Sequence, residues 1–232
     1  MKKDIIFKEV SVLKGIGKKL SKYLKNRKIE KIKDILLNLP YSETDRSKLV
    51  KLDKLEIGKI QTIKVAIKKL NFPRIRNLPN KIICEDETGK IEIVYFNSRE
   101  GYLRKLFKIN ETVIISGKIN FFNKKYQITN PDYVANTDKE DYVKKIIPKY
   151  SLTKGINEKK YRAISDEVIN NLPNIDDWHD ESFLKKNNFI KWRENIITLH
   201  KTKEGQNPKS KAYKRLVFDE ICANLLVLSK NR

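Results

Sequence analysis

At 232 residues the chain has room for one large domain or two to three small ones, each with its own core. Hydrophobic residues make up 39% and charged residues 34%, and no apolar run approaches the roughly 18 residues that a membrane-spanning helix needs, which excludes a transmembrane reading. The formal charge of +22 points to a polyanionic partner, because lysine and arginine displace counterions from a phosphate backbone.

Charge per residue is lowest beyond residue 135, so a phosphate track is sought before it. The start, from Met1 to Lys8, lacks the sustained apolar stretch and small-residue cleavage site of a secretory signal, and the expected compartment is the cytoplasm. Cys84 and Cys222 stand far apart and outside any CxxC spacing, which suggests buried free thiols rather than a disulfide or zinc site. His179 and His200 have no partner ligand at helical spacing, so no metal is expected.

Residues 9–39 read as helices, with Val12, Leu13, Ile16, Leu20 and Leu24, then Ile29, Ile32, Ile35, Leu36 and Leu39, at helical spacing before Pro40. Between them Leu13-Lys14-Gly15-Ile16-Gly17 resembles a helix-hairpin-helix turn. Its glycines would either let amides approach a phosphate or serve a tight turn, and the packing role is favoured.

From Gly58 the period changes to alternation. Ile63, Val65 and Ile67 form one face of a first strand. After a loop over residues 71–80, a hairpin follows from Ile82-Ile83-Cys84 to Ile91–Phe96 around Asp86-Glu87-Thr88-Gly89. A helix over Ser98–Lys108 precedes two more strands, Val113–Gly117 and Tyr126–Thr129, joined near Asn123. Three strands, a helix and two strands is the order of an OB-fold, which grips nucleic acid with its second and third strands and with the loops joining strands one to two and four to five. The first of these loops carries Phe72, Arg74 and Arg76, the second Phe122, Lys124 and Lys125.

Beyond Pro131 the chain reads as helical, with a helix from about Glu158 to Leu172 and an amphipathic one over Pro208–Arg232. The acidic group Asp176, Asp177, Asp180 and Glu181 fits a solvated helix start better than a two-metal nuclease. No Gly-Lys pair stands in a Walker loop, there is no Gly-x-Ser-x-Gly elbow, and neither histidine has a nucleophile beside it, so on its own the chain reads as a binding module.

Taken in order, the motifs resemble the amino-terminal part of bacterial RecG, the branched-DNA helicase. They are Leu13-x-Gly15-Ile16-Gly17; Asp34-Ile35-Leu36-Leu37-x-Leu39-Pro40-Tyr41 with Asp45-Arg46; Asp86-x-x-Gly89 with Tyr95-Phe96-Asn97; Gly117-Lys118; Asn130-Pro131-Asp132-Tyr133; Pro148-x-Tyr150-x-x-Thr153-x-Gly155; and Ala212-x-x-Arg215-Leu216-x-Phe218-Asp219-Glu220. The resemblance implies that the barrel is the wedge domain at a fork or junction, and that the pair matching Tyr95-Phe96 stacks on bases where strands part. Two departures are a tyrosine at the first aromatic, where phenylalanine is common, and Lys201-Thr202-Lys203 in place of a proline-rich turn after His200.

The expected fold class is α+β: a five-stranded OB-type barrel (58–135) flanked by N-terminal helices (1–57) and a C-terminal helical segment (136–232). Candidate DNA contacts are Phe96, Tyr95, Arg74, Arg76, Lys81, Arg99, Lys118, Lys124 and Lys125. Pleat geometry makes Phe96 the better platform and Tyr95 a core residue unless the strand ends there. The chain itself is expected to hold no cofactor. The resemblance implies that ATP and Mg2+ are to be expected in helicase domains missing from this sequence, and those domains together with branched DNA are the expected partners of a monomer. The alternatives are a stand-alone OB protein for single-stranded DNA or RNA, and a structural adaptor whose charge is compositional.

Overall fold

The computed structural model describes residues 3–75, 78–201 and 207–231. They divide into two compact units: residues 44–147, and a helical unit built from residues 1–43 together with 148–232. This differs from the three consecutive segments expected from the sequence. The two terminal segments share one hydrophobic core, in which Leu24, Ile32, Ile35 and Leu36 join Tyr161, Val168, Ile196 and Leu199.

In the helical unit, α1 (Lys18–Lys25) and α2 (Ile32–Leu37) are shorter than the helical period suggested. Gly15 adopts φ +88, a left-handed conformation that interrupts the first helix, and Gly17 is extended at the start of α1. In chain order β1 (Ser42–Asp45) runs from the one unit into the other, and the barrel unit then supplies β2 (Ile60–Asn71), β3 (Asn80–Glu85), β4 (Lys90–Tyr95), α3 (Glu100–Leu106), β5 (Thr112–Phe122), β6 (Lys125–Thr129), β7 (Tyr133–Asn136) and α4 (Glu140–Val143). After β8 (Ile146–Lys149) the chain forms α5 (Glu158–Asn170), α6 (Glu181–Lys186), α7 (Trp192–Lys201) and α8 (Lys211–Lys230). β1 and β8 pair in a separate two-stranded sheet.

The barrel follows the order β2-β3-β4-β6-β5 and closes by pairing of β2 with β5. Strand β2 achieves this by sharing its length: Ile60–Ala66 pair with β5, and Ala66–Asn71 with β3, past an irregularity between Ile67 and Lys69. Such a bulge bends a strand and adds twist, which closure of a small barrel requires. β4 and β6 run parallel, and every other barrel pairing is antiparallel. Ile63, Val65, Ile67, Ile82, Ile91, Ile93, Val113, Ile115, Ile119 and Ile128 fill the interior, and Phe107, at the end of α3, joins them.

Residues beyond Pro131 are not all helical. Tyr133–Asn136 add to the free edge of β5, and Ile114, Tyr133, Ala135, Val143 and Ile147 form a small second core on the outside of that strand. A four-residue strand gives too few alternations to be read as one, and its pairing edge comes from β5. Among the described residues no helix is long and apolar enough to cross a membrane, and no group of three or more His, Cys, Asp or Glu could hold a metal ion. Cys84 lies in the barrel core, where burial pushes its thiol up to about 12.

Candidate nucleic-acid interface

Strand β4 alternates Ile91, Ile93 and Tyr95 into the barrel and Glu92 and Val94 outward. Tyr95 is buried, its ring meeting Phe107 edge-on with centroids 5.9 Å apart, and burial pushes its hydroxyl pKa up. It is therefore a core residue of the barrel, the position that the pleat indicated.

Phe96 is 48% exposed. Its backbone N–H donates to Asn130 Oδ1 at 3.1 Å, and the Asn130 N–H donates to the Val94 carbonyl at 2.8 Å. Asn97 follows in the left-handed region at φ 57 and Asn130 does the same at φ 45, conformations that asparagine tolerates better than most residues. The rim of β4 is thus held by backbone and asparagine atoms while the Phe96 ring projects.

The other motifs explain the rim's shape. A Cβ on Gly117 would lie 2.5 Å from Ile128 and 3.3 Å from Pro131, so glycine allows the segment carrying Asn130 to pass close over β5. Arg46, 6% exposed, donates from Nη1 to Ser116 Oγ at 2.8 Å and from Nη2 to Asp132 Oδ2 at 2.6 Å, with its guanidinium 5.1 Å from the Tyr133 ring centroid. The Asp45-Arg46 and Asn130–Tyr133 motifs are one clamp.

Backbone register arranges the cations. β5 and β6 meet in a two-residue turn whose residues Asn123 and Lys124 have φ 47 and 61, the left-handed pair that suits hairpin twist. This turn presents exposed Phe122 and Lys124. On the outer face Asn120 pairs with Gln127, Gln127 with Glu92, and Glu92 with Ile83. Lys118 lies on this face of β5, exposed, and Lys81 lies across from Val94. Phe96 continues the face beyond Val94, whereas Phe122, paired with Lys125, stands at the opposite end.

Of the remaining candidates, Arg74 is exposed in the β2–β3 loop, Arg99 is exposed just before α3, and Arg76 lies outside the described residues, as do Thr202 and Lys203 of the departure after His200. Phe72 of the same loop is half-buried beneath Arg104, whose guanidinium lies 4.8 Å from the ring centroid.

Sequence reasoning missed Glu92. It is 6% exposed and accepts from Lys125 Nζ at 2.8 Å, Lys81 Nζ at 3.0 Å and Gln127 Nε2 at 3.0 Å. Burial pushes its carboxyl pKa up, but the hydrogen bonds from Lys125 and Lys81 outweigh burial and hold it below the usual range. Alternation placed Glu92 on the outer face, but only pairing across three strands could show which lysines reach it.

The acidic group near residue 180 is likewise only partly solvated. Asp180 caps α6 by accepting from the Phe183 N–H at 2.7 Å. Asp177 is not part of a helix start: it accepts from the Trp192 N–H at 2.9 Å and from Arg215 Nη2 at 2.8 Å.

Comparison with known proteins extends these features. The family model described as the RecG wedge domain matches residues 9–172. The ATP-dependent DNA helicase RecG of Thermotoga maritima is 28% identical over 231 residues, covering 97% of this chain and 29% of that protein. The Haemophilus influenzae RecG is 25% identical, with 95% and 33% covered. A solved structure of RecG bound to a three-way DNA junction superposes with a TM-score of 0.76 at 27% identity, over 92% of this chain and 30% of that one. The chain spans about a third of the length of these relatives. With the family model matched over most of its length, the chain belongs to the RecG wedge-domain family.

Proposed function

We propose that this chain is the branched-DNA-binding wedge of a RecG-like ATP-dependent DNA helicase, engaging forks and three- and four-way junctions in repair and recombination. ATP and Mg2+ would be held by helicase domains corresponding to the part of the relatives that this chain does not span, and the module would work as a monomer in the cytoplasm. The observation that carries the reading is Phe96: an exposed ring on a fixed rim, at the end of a barrel face that also bears Lys81, Lys118 and Lys125. Lysines serve any phosphate backbone, whereas a projecting ring finds an unpaired base only where strands separate. The lysines would supply affinity and the ring would supply preference for the branch.

The test compares a fork with a closed duplex, using the full chain. A stacked base is worth about 1–3 kcal/mol, so Phe96→Ala is expected to weaken fork binding by roughly 5-fold to 150-fold and to leave duplex binding nearly unchanged. Phe96→Leu keeps apolar volume without the π face and should not restore fork binding. Equal loss on fork and duplex, or full rescue by leucine, would overturn the reading. An unchanged melting midpoint is expected, because the rim is held by Asn130 rather than by the ring.

A further inference from the structure

The outer face of β3, β4 and β6 holds a carboxylate at the place where the proposed function calls for cations. Glu92 lies in the middle of that face, between Phe122 at one end and Phe96 at the other. Each of its oxygens is engaged: Oε1 with Lys125 Nζ at 2.8 Å, Oε2 with Lys81 Nζ and Gln127 Nε2, both at 3.0 Å. An ionised carboxylate so far from water is costly unless paired, and barrel packing alone would be met as well by an apolar residue. Its side chain is 8% exposed, while those of Lys81 and Lys125 are 37% and 63% exposed, so the lysines close over the acid and keep one side open to solvent.

Carboxylate and phosphate oxygens present the same acceptor chemistry to an ammonium group. We infer that Glu92 is an internal stand-in for phosphate, which holds Lys81 and Lys125 in place on the free barrel and lowers the charge of this face by one, restraining its binding to any passing nucleic-acid backbone. Glu92 is then a specificity-determining residue: it weakens the structure-independent electrostatic contribution, so that base stacking at the rim decides what binds. The inference rests on the proposed DNA-binding function and adds to it a residue that opposes binding.

The experiment measures binding of a short unbranched oligothymidylate to the full chain as a function of salt. For a single strand, log affinity falls with log salt by about 0.7 per neutralised phosphate. Glu92→Gln keeps the shape and removes the charge. It should steepen the slope by roughly 0.7 and tighten binding by about 5-fold at about 0.1 M salt. Lys81→Met, which leaves Glu92 paired with Lys125, should do the reverse by a similar amount, and the double variant should return to the wild-type slope. Lys81→Met also serves if Glu92→Gln unfolds, because an unchanged slope in Lys81→Met means that Glu92 and its lysines are a stability network with no part in binding.

Unchanged or weaker binding by folded Glu92→Gln overturns the inference. The wild-type preference for fork over duplex, measured in the same series, separates the two failures. If that preference and its dependence on Phe96 are present while the slopes do not move, only the role of Glu92 is wrong. If the preference is absent, the proposed function falls first.

Discussion

Arg215 shows how far a single residue's role depends on its surroundings. Its side chain is fully buried, donating from Nη2 to Asp177 at 2.8 Å and from Nε to Asp219 at 2.7 Å, beside the rings of Trp178 and Phe189. Within the Arg215–Glu220 motif, Arg215 is thus an internal anchor tying α8 to the segment before α6. Removing one partner of a buried pair leaves charge without compensation, at a cost of about 3–5 kcal/mol. Arg215→Met is expected to lower the stability of the helical unit by that order in urea denaturation, without altering fork preference. The anchor also has a pH signature. Burial raises the Asp177 pKa, but Arg215 and the backbone N–H groups of His179 and Trp192 outweigh it and lower it below 3.8. Its stabilisation is therefore complete above that value and fades as pH falls through the lowered one.

At the scale of elements, His200 joins three helices. Its Nε2 lies 2.8 Å from the Leu36 carbonyl, which can only accept, so Nε2 carries the proton and Nδ1 accepts from the Tyr150 hydroxyl at 3.0 Å. Tyr150 in turn lies 3.2 Å from Ser165 Oγ of α5. One neutral imidazole thus links the end of α2, the Tyr150 segment, α5 and α7. Burial lowers its pKa from 6.5. The unfolded chain then binds a proton that the folded one refuses, and stability falls as pH drops from 6.5 towards the lowered value. The melting midpoint of the helical unit is expected to fall between about pH 7.5 and about pH 5. In His200→Gln, whose amide can replace both hydrogen bonds, that fall should be smaller; an equal fall in both would assign it to other groups. In the Thr153-x-Gly155 motif, Gly155 has φ +100, and a Cβ there would meet the Tyr23 ring at 2.9 Å.

For the whole molecule, the two units differ in how they are drawn from the chain. The barrel core, from Leu52 to Ile128, comes from one continuous segment. The helical core needs residues from both ends of the chain. Residues 44–147 expressed alone are therefore expected to fold, with cooperative thermal unfolding and β-rich circular dichroism, whereas residues 1–57 alone should lack a cooperative transition. A folded 1–57 fragment would mean that the shared core is dispensable to the N-terminal helices.

Much of the barrel was legible because its signals are local. Alternation in Ile63–Ile67 and Ile91–Ile93, the Asp86–Gly89 turn and the helix between the third and fourth strands each depend on neighbours in sequence, and together they specify an OB topology. The same period predicted that Phe96 faces outward and Tyr95 inward. The structure decided what depends on distant pairing: that both ends of the chain share a core, that Tyr133–Asn136 borrow an edge from β5, that Arg215 is an anchor, and that Glu92 holds Lys81 and Lys125. Period tells which face of a strand a side chain takes, but register and closure determine which residues meet across it.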